Sequence, residues 1–330
     1  MTEPANPVGE ASAAAARPAA PPVVPDHGLI RLIGGGGSGE VWLARNVLGT
    51  YRAVKIVYEK TSSHKRRFGG EFDGVMKFEP ISRQHDGLVD ILHVGGVEAA
   101  GYFYCVMELT DDIATGQNIN PANYQPRTLA HDLAGRRQLP IGECIRLGAT
   151  IASALGFLHR HGLIHRDIKP GNIIFVNGFP KLADTGLVTD MSGPSPYVGT
   201  EGFIAPEGPG TIQADIYSLG KVLYEISTGR DRNDYPALPA NLEDNREGRE
   251  LIQFNKIIVK ACRTSPWDRY ESADELMTAL LTFQFCGHDR RRKQNRDLLT
   301  RVITVGGIGV AICVFAILLW RIIWLIEHGQ

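Results

Sequence analysis

The run His165-Arg166-Asp167-Ile168-Lys169-Pro170-Gly171-Asn172 sets five polar or charged side chains within eight residues. These types suit the transfer of an anionic group to an alcohol. A carboxylate at Asp167 can accept the alcohol's proton. An ammonium at Lys169 can neutralise a moving phosphoryl group, and the amide oxygen of Asn172 can ligate a cation. Twelve residues after Asn172 stands Asp184, in Ala183-Asp184-Thr185-Gly186, as a second oxygen donor. Mg2+ takes few protein oxygens and completes its shell with water and substrate phosphates, so this pair is of the right kind. The other reading of the run is a solvated turn with coincidental charges.

Two further segments bear on phosphate chemistry. Ile33-Gly34-Gly35-Gly36-Gly37-Ser38-Gly39-Glu40-Val41 contains GxGxxGxV, with Gly34, Gly36 and Gly39 in register. Glycine backbone approaches phosphate oxygens closely and offers N–H groups to them. Gly-rich turns are frequent, so this signal is weak alone. Val41-Trp42-Leu43-Ala44 then reads as a strand and not a helix, which points to a hairpin folded over phosphates and away from a dinucleotide fingerprint. Lys55, in Ala53-Val54-Lys55 with Ile56 and Val57 after it, lies inside an apolar strand. It must snorkel or find a partner. Glu71, sixteen residues on in an expected helix, is the candidate and Glu79 the fallback. A solvated edge lysine is the plainer alternative.

Elements that position these groups are visible as periodicities. Leu29–Ile33, Val41–Ala44, Tyr51–Val57 and Tyr102–Met107 predict strands, and 64–79 a helix. After residue 128 the pattern turns helical, with Ile141, Ile145, Ile151, Leu155 and Leu158 following Pro140, and with Ala214–Thr228 and Leu251–Cys262 alike. The polar stretch Asp111–Arg127 fits a segment that shapes access or an inert surface loop, the latter being the simpler reading. Residues 1–26 are Ala/Pro-rich, lack the apolar run of a secretory signal, and read as a disordered tail.

Val302–Trp320 carries no charge, and its apolar texture continues past Arg321 to Ile326. Nineteen residues at ~1.5 Å rise match the ~30 Å hydrocarbon core, which predicts a transmembrane helix over 302–326. A buried globular helix is the alternative. Arg290, Arg291, Arg292, Lys293, Arg296 and Arg301 make 286–301 a basic juxtamembrane linker and place the preceding residues in the cytoplasm, with 327–330 a short outer tail. Gly307 and Ala311 form a small-xxx-small pair that lets two helices approach, the basis for expecting a homodimer, although the spacing is common by chance. The 35 Lys+Arg and 36 Asp+Glu cancel to −1, without the positive excess of a nucleic-acid binder. The five cysteines are odd in number and never in CxxC, so they predict neither disulfides nor zinc, but buried small hydrophobes.

On these motifs the chain resembles serine/threonine protein kinases of the bacterial eukaryotic-like (Hanks) type, over about residues 28–285. Ala205-Pro206-Glu207, Asp215, Arg269 and the run Gly199-Thr200-Glu201-Gly202-Phe203 belong to the same likeness. The resemblance implies an α+β bilobal protein-kinase fold in 27–285, with a small β-rich N-lobe (27–108) and a larger helical C-lobe (109–285), ahead of the C-terminal transmembrane helix. ATP and Mg2+ would be the cofactors and protein Ser/Thr hydroxyls the acceptors, at the inner face of the plasma membrane. Ile33, Gly34, Gly36, Gly39, Val41 and Ala53 would bind the nucleotide together with Met107, Glu108, Leu109 and Thr110. Lys55 would hold the α/β-phosphates and pair with Glu71, Asp167 would be the base assisted by Lys169, and Asn172 and Asp184 would take the metal. Thr200 would bond Asp167 and Lys169, Glu207 and Arg269 would form a buried ion pair, and Asp215 would anchor the catalytic-loop backbone. Arg166 would capture a phosphate added at Thr189, Ser192 or Ser195.

Two positions depart from the pattern. Thr185 stands where the family usually has Phe, and Phe203 keeps an aromatic ring without its hydroxyl. Thr185 is the sequence support for a pseudokinase scaffold that binds nucleotide without turnover. A small-molecule phosphotransferase of related fold is disfavoured by Lys169, Ala205-Pro206-Glu207 and Arg269.

Overall fold

The computed structural model describes residues 22–36, 39–59, 65–97, 101–184, 189–190 and 199–285. The sequence expectations for 1–21, for Thr185, for Ser192 and Ser195, and for the linker, span and tail of 286–330 lie outside these residues, as do Cys286 and Cys313. The chain divides into units 1–278 and 279–330. Of the second, 279–285 is described and is helical.

Five strands, β1 (His27–Gly36), β2 (Gly39–Asn46), β3 (Tyr51–Tyr58), β4 (Ile91–Val97) and β5 (Tyr102–Met107), form one sheet in the order β1-β2-β3-β5-β4. Every pairing in it is antiparallel. β3 is central, and Ala53 to Val57 are all buried, with Lys55 the one charged residue among apolar neighbours. Helix α1 (Lys65–Ser82) lies on this sheet, with the Phe72 ring edge-on to Phe103 at 5.2 Å. Its end is tied to β4, because Ile91 N donates to Ser82 Oγ at 3.2 Å.

The helical part follows. α2 (Leu129–Arg136) starts on the Thr128 N-cap. α3 (Ile141–Arg160) buries twelve of its twenty residues. Among the described residues it is the one helix long and apolar enough to cross a membrane, yet it is more than half buried in protein and serves as the core of this lobe. β6 (Leu163–Ile164) leads into the chemistry-bearing run and pairs with β9 (Thr189–Asp190). β7 (Ile173–Val176) and β8 (Phe179–Leu182) form a hairpin closed by Asn177 and Gly178, both at positive φ, the Asn-Gly two-residue turn whose twist matches paired strands. α4 (Ile212–Thr228) is capped by Thr211 at its start and by left-handed Gly229 at its end, and α5 (Arg246–Ala261) packs on it. A β-rich part followed by a helical part is thus the observed order, as the periodicities predict. Cys105, Cys144 and Cys262 are free and buried.

Candidate functional site

β1 and β2 pair down to Gly36 opposite Gly39, so the glycine run closes a hairpin. Gly39 has φ +121, and a Cβ there would lie 2.3 Å from the Ile56 carbonyl oxygen, so no other residue fits. Beneath this hairpin opens a cavity of about 750 Å³. Ile33, Gly34, Gly39, Val41, Ala53 and Lys55 line it from the sheet, and Met107, Glu108 and Thr110 from the chain that leaves β5. Asp167, Lys169, Asn172 and Asp184 line it from the helical side. Of the predicted nucleotide set, Leu109 and Glu71 do not line it. Leu109 buries its side chain with Leu43, Ala53 and Tyr124, because an apolar residue there gains more from the core than from the cavity. Glu71 is buried on α1. Gly36 is the last residue of β1 and pairs with Gly39.

Lys55 Nζ sits 2.5 Å from Asp184 Oδ1, a contact between residues 129 apart in the chain. Burial pulls the Lys55 amine down, but the Asp184 charge and hydrogen bond, with the Glu71 charge behind them, more than reverse this and leave it above its ordinary value. Burial likewise pushes the Asp184 carboxyl up, and Lys55 more than offsets that, holding it below the usual carboxylate range. Both groups are therefore charged at neutral pH. Asp184 itself adopts φ 61, a left-handed conformation costly for a non-glycine residue. Cys105 lines the same cavity, but burial pushes its thiol up to about 12, which leaves it unreactive.

The run 165–172 is held from below. Asp215, buried in the first turn of α4, accepts from His165 N and Arg166 N, each at 2.9 Å, and His159 Nε2 lies 3.0 Å away. Burial raises the Asp215 carboxyl, and the bond to His159 and the backbone N–H groups more than offset it, leaving it ionised. These bonds keep Arg166 at φ 72 and turn Asp167 into the cavity. Lys169 Nζ donates to Asp167 Oδ2 at 2.7 Å and to Thr200 Oγ1 at 2.8 Å, while Thr200 Oγ1 donates to Asp167 Oδ1 at 2.8 Å. Asn172 Nδ2 donates to Asp167 O at 2.7 Å and Oδ2 at 2.9 Å. The amide hydrogens of Asn172 are thereby committed, and its oxygen is what it offers a cation. Asn172 and Asp184 both line the cavity, so both could offer it an oxygen. Two oxygen donors of this kind could hold a hard cation that completes its shell with water and phosphate oxygens. Glu207 and Arg269 form a two-pronged pair at 2.6 and 2.8 Å.

A family model, the protein kinase domain, matches residues 28–300. The chain belongs to this family. Its kinase domain is 28% identical over 278 residues to the serine/threonine-protein kinase PrkC of Bacillus subtilis, which covers 77% of this chain and 40% of that protein. Similarity to the serine/threonine-protein kinase PknB of Mycolicibacterium smegmatis reaches 30% over 284 residues, 77% of this chain and 42% of the relative. PknB of Mycobacterium leprae is 29% identical over 290 residues, 79% and 43% of the two chains. The chain thus spans about two fifths of the length of the curated relatives it matches.

The kinase domain also uses residues that periodicity did not single out. Val75, Val89, Ile174 and Ala183 complete the apolar walls of the cavity. The segment Asp111–Arg127 is more than a surface loop, since Tyr124 and Pro126 line the cavity. Asp112 accepts from Ala114 N, Thr115 N and Gln125 N, which folds the segment back on itself. Arg31 of β1 reaches across to donate to the carbonyls of Pro121 and Tyr124. The Asx-turn chemistry of Asp112 and Asn120, whose side-chain oxygens accept from Ala114 N and Ala122 N, is the sequence signal that such a segment is ordered.

Proposed function

We propose that this protein is a membrane-tethered serine/threonine protein kinase that transfers the γ-phosphoryl group of ATP to protein Ser/Thr hydroxyls. The observation that carries the reading is the closed triangle of Asp167, Lys169 and Thr200 on the wall of a cavity that also holds the Asn172–Asp184 oxygen pair and the Lys55 amine. Asn172 and Asp184 would hold Mg2+, which when bound supplies charge neutralisation at the phosphate oxygens. The glycine strand covers the nucleotide with backbone N–H groups, and Ile33, Val41, Ala53, Met107 and Thr110 enclose its apolar part. Lys55, charged through Asp184, draws the phosphate chain inward. Asp167 orients the acceptor hydroxyl and takes its proton, while Lys169 offsets negative charge on the moving group. Lys169 two residues past the base, in the resemblance, favours Ser/Thr over Tyr acceptors.

Residues 27–285 form the catalytic unit in this reading, with 302–326 as its membrane span, 286–301 as a lipid-facing basic linker, and homodimerisation through Gly307 and Ala311. The uncharged stretch Val302–Trp320 and its flanking arginines support the tether. Phosphorylation of Thr189, Ser192 or Ser195, read by Arg166, is the proposed activating event.

The test is labelled ATP with the full chain, its Lys55→Met and Asp167→Ala variants, and generic protein acceptors. Label on protein with wild type alone is the expected result. Silence of all three chains, with nucleotide still bound, would replace the reading with a nucleotide-binding scaffold. Separation of the intact chain into the membrane fraction, lost on truncation near Gly287, tests the tether.

A further inference from the structure

A cation on the connection from α4 to α5 reaches back to the segment beside the base. Arg232 Nε donates to the Glu201 carbonyl at 3.1 Å, and its guanidinium lies 4.7 Å from the centre of the Phe203 ring. Gly202 lies between, at φ +84, and a Cβ there would fall 2.7 Å from Arg232 Nε, so the glycine makes the contact sterically available. The arginine is itself fixed from α4. Glu225 Oε1 accepts from its Nη1 and from its backbone N, each at 3.1 Å. Its carbonyl accepts from Lys221 Nζ at 2.6 Å, a lysine that is 6% exposed and whose amine is pulled down by burial. α4 makes a separate bond to the same segment, from Ser218 Oγ to Phe203 O at 2.8 Å.

What this arrangement holds is the stretch that begins with Thr200, the residue bonded to both Asp167 and Lys169. A protein acceptor must lie along the chain adjoining Asp167 to bring its hydroxyl within hydrogen-bond reach. Phe203 has no hydroxyl with which to tie its own ring, and the stacked guanidinium supplies the restraint. Arg232 makes no contact with the nucleotide cavity. We infer that Arg232 is a positioning residue for the protein acceptor: it clamps Glu201 to Phe203 in the conformation that receives the acceptor chain, and it acts on acceptor recognition while leaving nucleotide binding alone. The inference rests on the kinase reading above and adds the device that holds the acceptor side of the site.

The experiment uses the full chain with casein as acceptor, mant-ATP titration to count active sites, and Arg232→Ala, Arg232→Lys, Phe203→Leu and the Arg232→Ala/Phe203→Leu pair. In Arg232→Ala, kcat/KM for casein falls about tenfold per active site, mostly through KM for casein, while mant-ATP affinity stays within about twofold. Arg232→Lys lies between, because an ammonium can pair with Glu225 but has no plane to stack. In the Phe203→Leu background, Arg232→Ala costs less than about threefold more, since the partner ring is already gone. An unchanged KM for casein in Arg232→Ala overturns the inference. So does a loss in which kcat and mant-ATP affinity decline together, the mark of a merely structural role. Failure of wild type to label casein or itself is a different result, which refutes the kinase reading and the inference with it.

Discussion

Exchanging Asp215 for asparagine alters one atom at a carboxylate shared by three donors. Asp215 Oδ2 faces His165 N and His159 Nε2, and Oδ1 faces Arg166 N. In its better orientation the amide keeps its oxygen on the first pair and turns its NH2 toward the Arg166 N–H, donor against donor. A hydrogen bond to an ionised acceptor is lost, about 1.5–3 kcal/mol, and a buried N–H is left unpaired, about 1–3 kcal/mol. The sum is about 2.5–6 kcal/mol, of which local relaxation recovers part. At roughly 2–4 °C per kcal/mol for a domain of this size, a loss of about 3 kcal/mol lowers Tm by about 6–12 °C. Arg166 is held at φ 72 by the same bonds, so the loop also relaxes toward ordinary backbone and carries Asp167 with it. Urea unfolding and phosphotransfer on one preparation give both readouts. Turnover per folded molecule should fall further in Asp215→Asn than the folded fraction does. A stability loss under about 1 kcal/mol with unchanged turnover would refute the anchoring argument.

Other perturbations follow from the same geometry. Glu207→Ala leaves the fully buried Arg269 guanidinium without its counter-charge, and the expected loss is about 3–5 kcal/mol in urea unfolding. A loss within about 0.5 kcal/mol would show that its bonds to the Gln213, Arg263 and Thr264 carbonyls suffice. Asp184 has a carboxyl lowered in the folded state, so its contribution to stability is present above the unfolded value of about 3.9 and is lost as pH falls through the folded one. The stability difference between wild type and Asp184→Asn, measured by urea at pH 7, 5 and 3.5, should therefore hold from 7 to 5 and narrow by 3.5. A constant difference would contradict the Lys55–Asp184 pairing.

Legibility in the sequence followed the physics of each element. β1, β2, β3 and β5 and helices α1, α3, α4 and α5 were visible because each buries one face or all of itself, and burial imposes a period. β4 was not, since His93, Gly95 and Gly96 interrupt its apolar alternation, although Val94 to Val97 pair residue by residue with β5. α2 spans eight residues, too few for a period to declare itself. The run around Asp167 was legible because its chemistry is local, five groups on one loop. The Lys55–Asp184 contact was not, because two residues 129 apart in the chain converge only once the lobes exist, and for Lys55 the sequence offered Glu71 and Glu79. The role of Tyr124 as a cavity wall was hidden for the same reason. Its burial against Leu43, Ala53 and Leu109 depends on a segment folded back by Asp112.

In the proposed function Asp167 is the group that takes the acceptor's proton. The direct measurement is single-turnover phosphoryl transfer in Asp167→Asn against wild type, with ATP affinity determined on the same samples. A general base contributes about 10²–10⁴-fold, so the transfer rate should fall by about that much while ATP affinity stays within about twofold. Transfer at the wild-type rate in Asp167→Asn, with nucleotide bound equally well, would contradict that role.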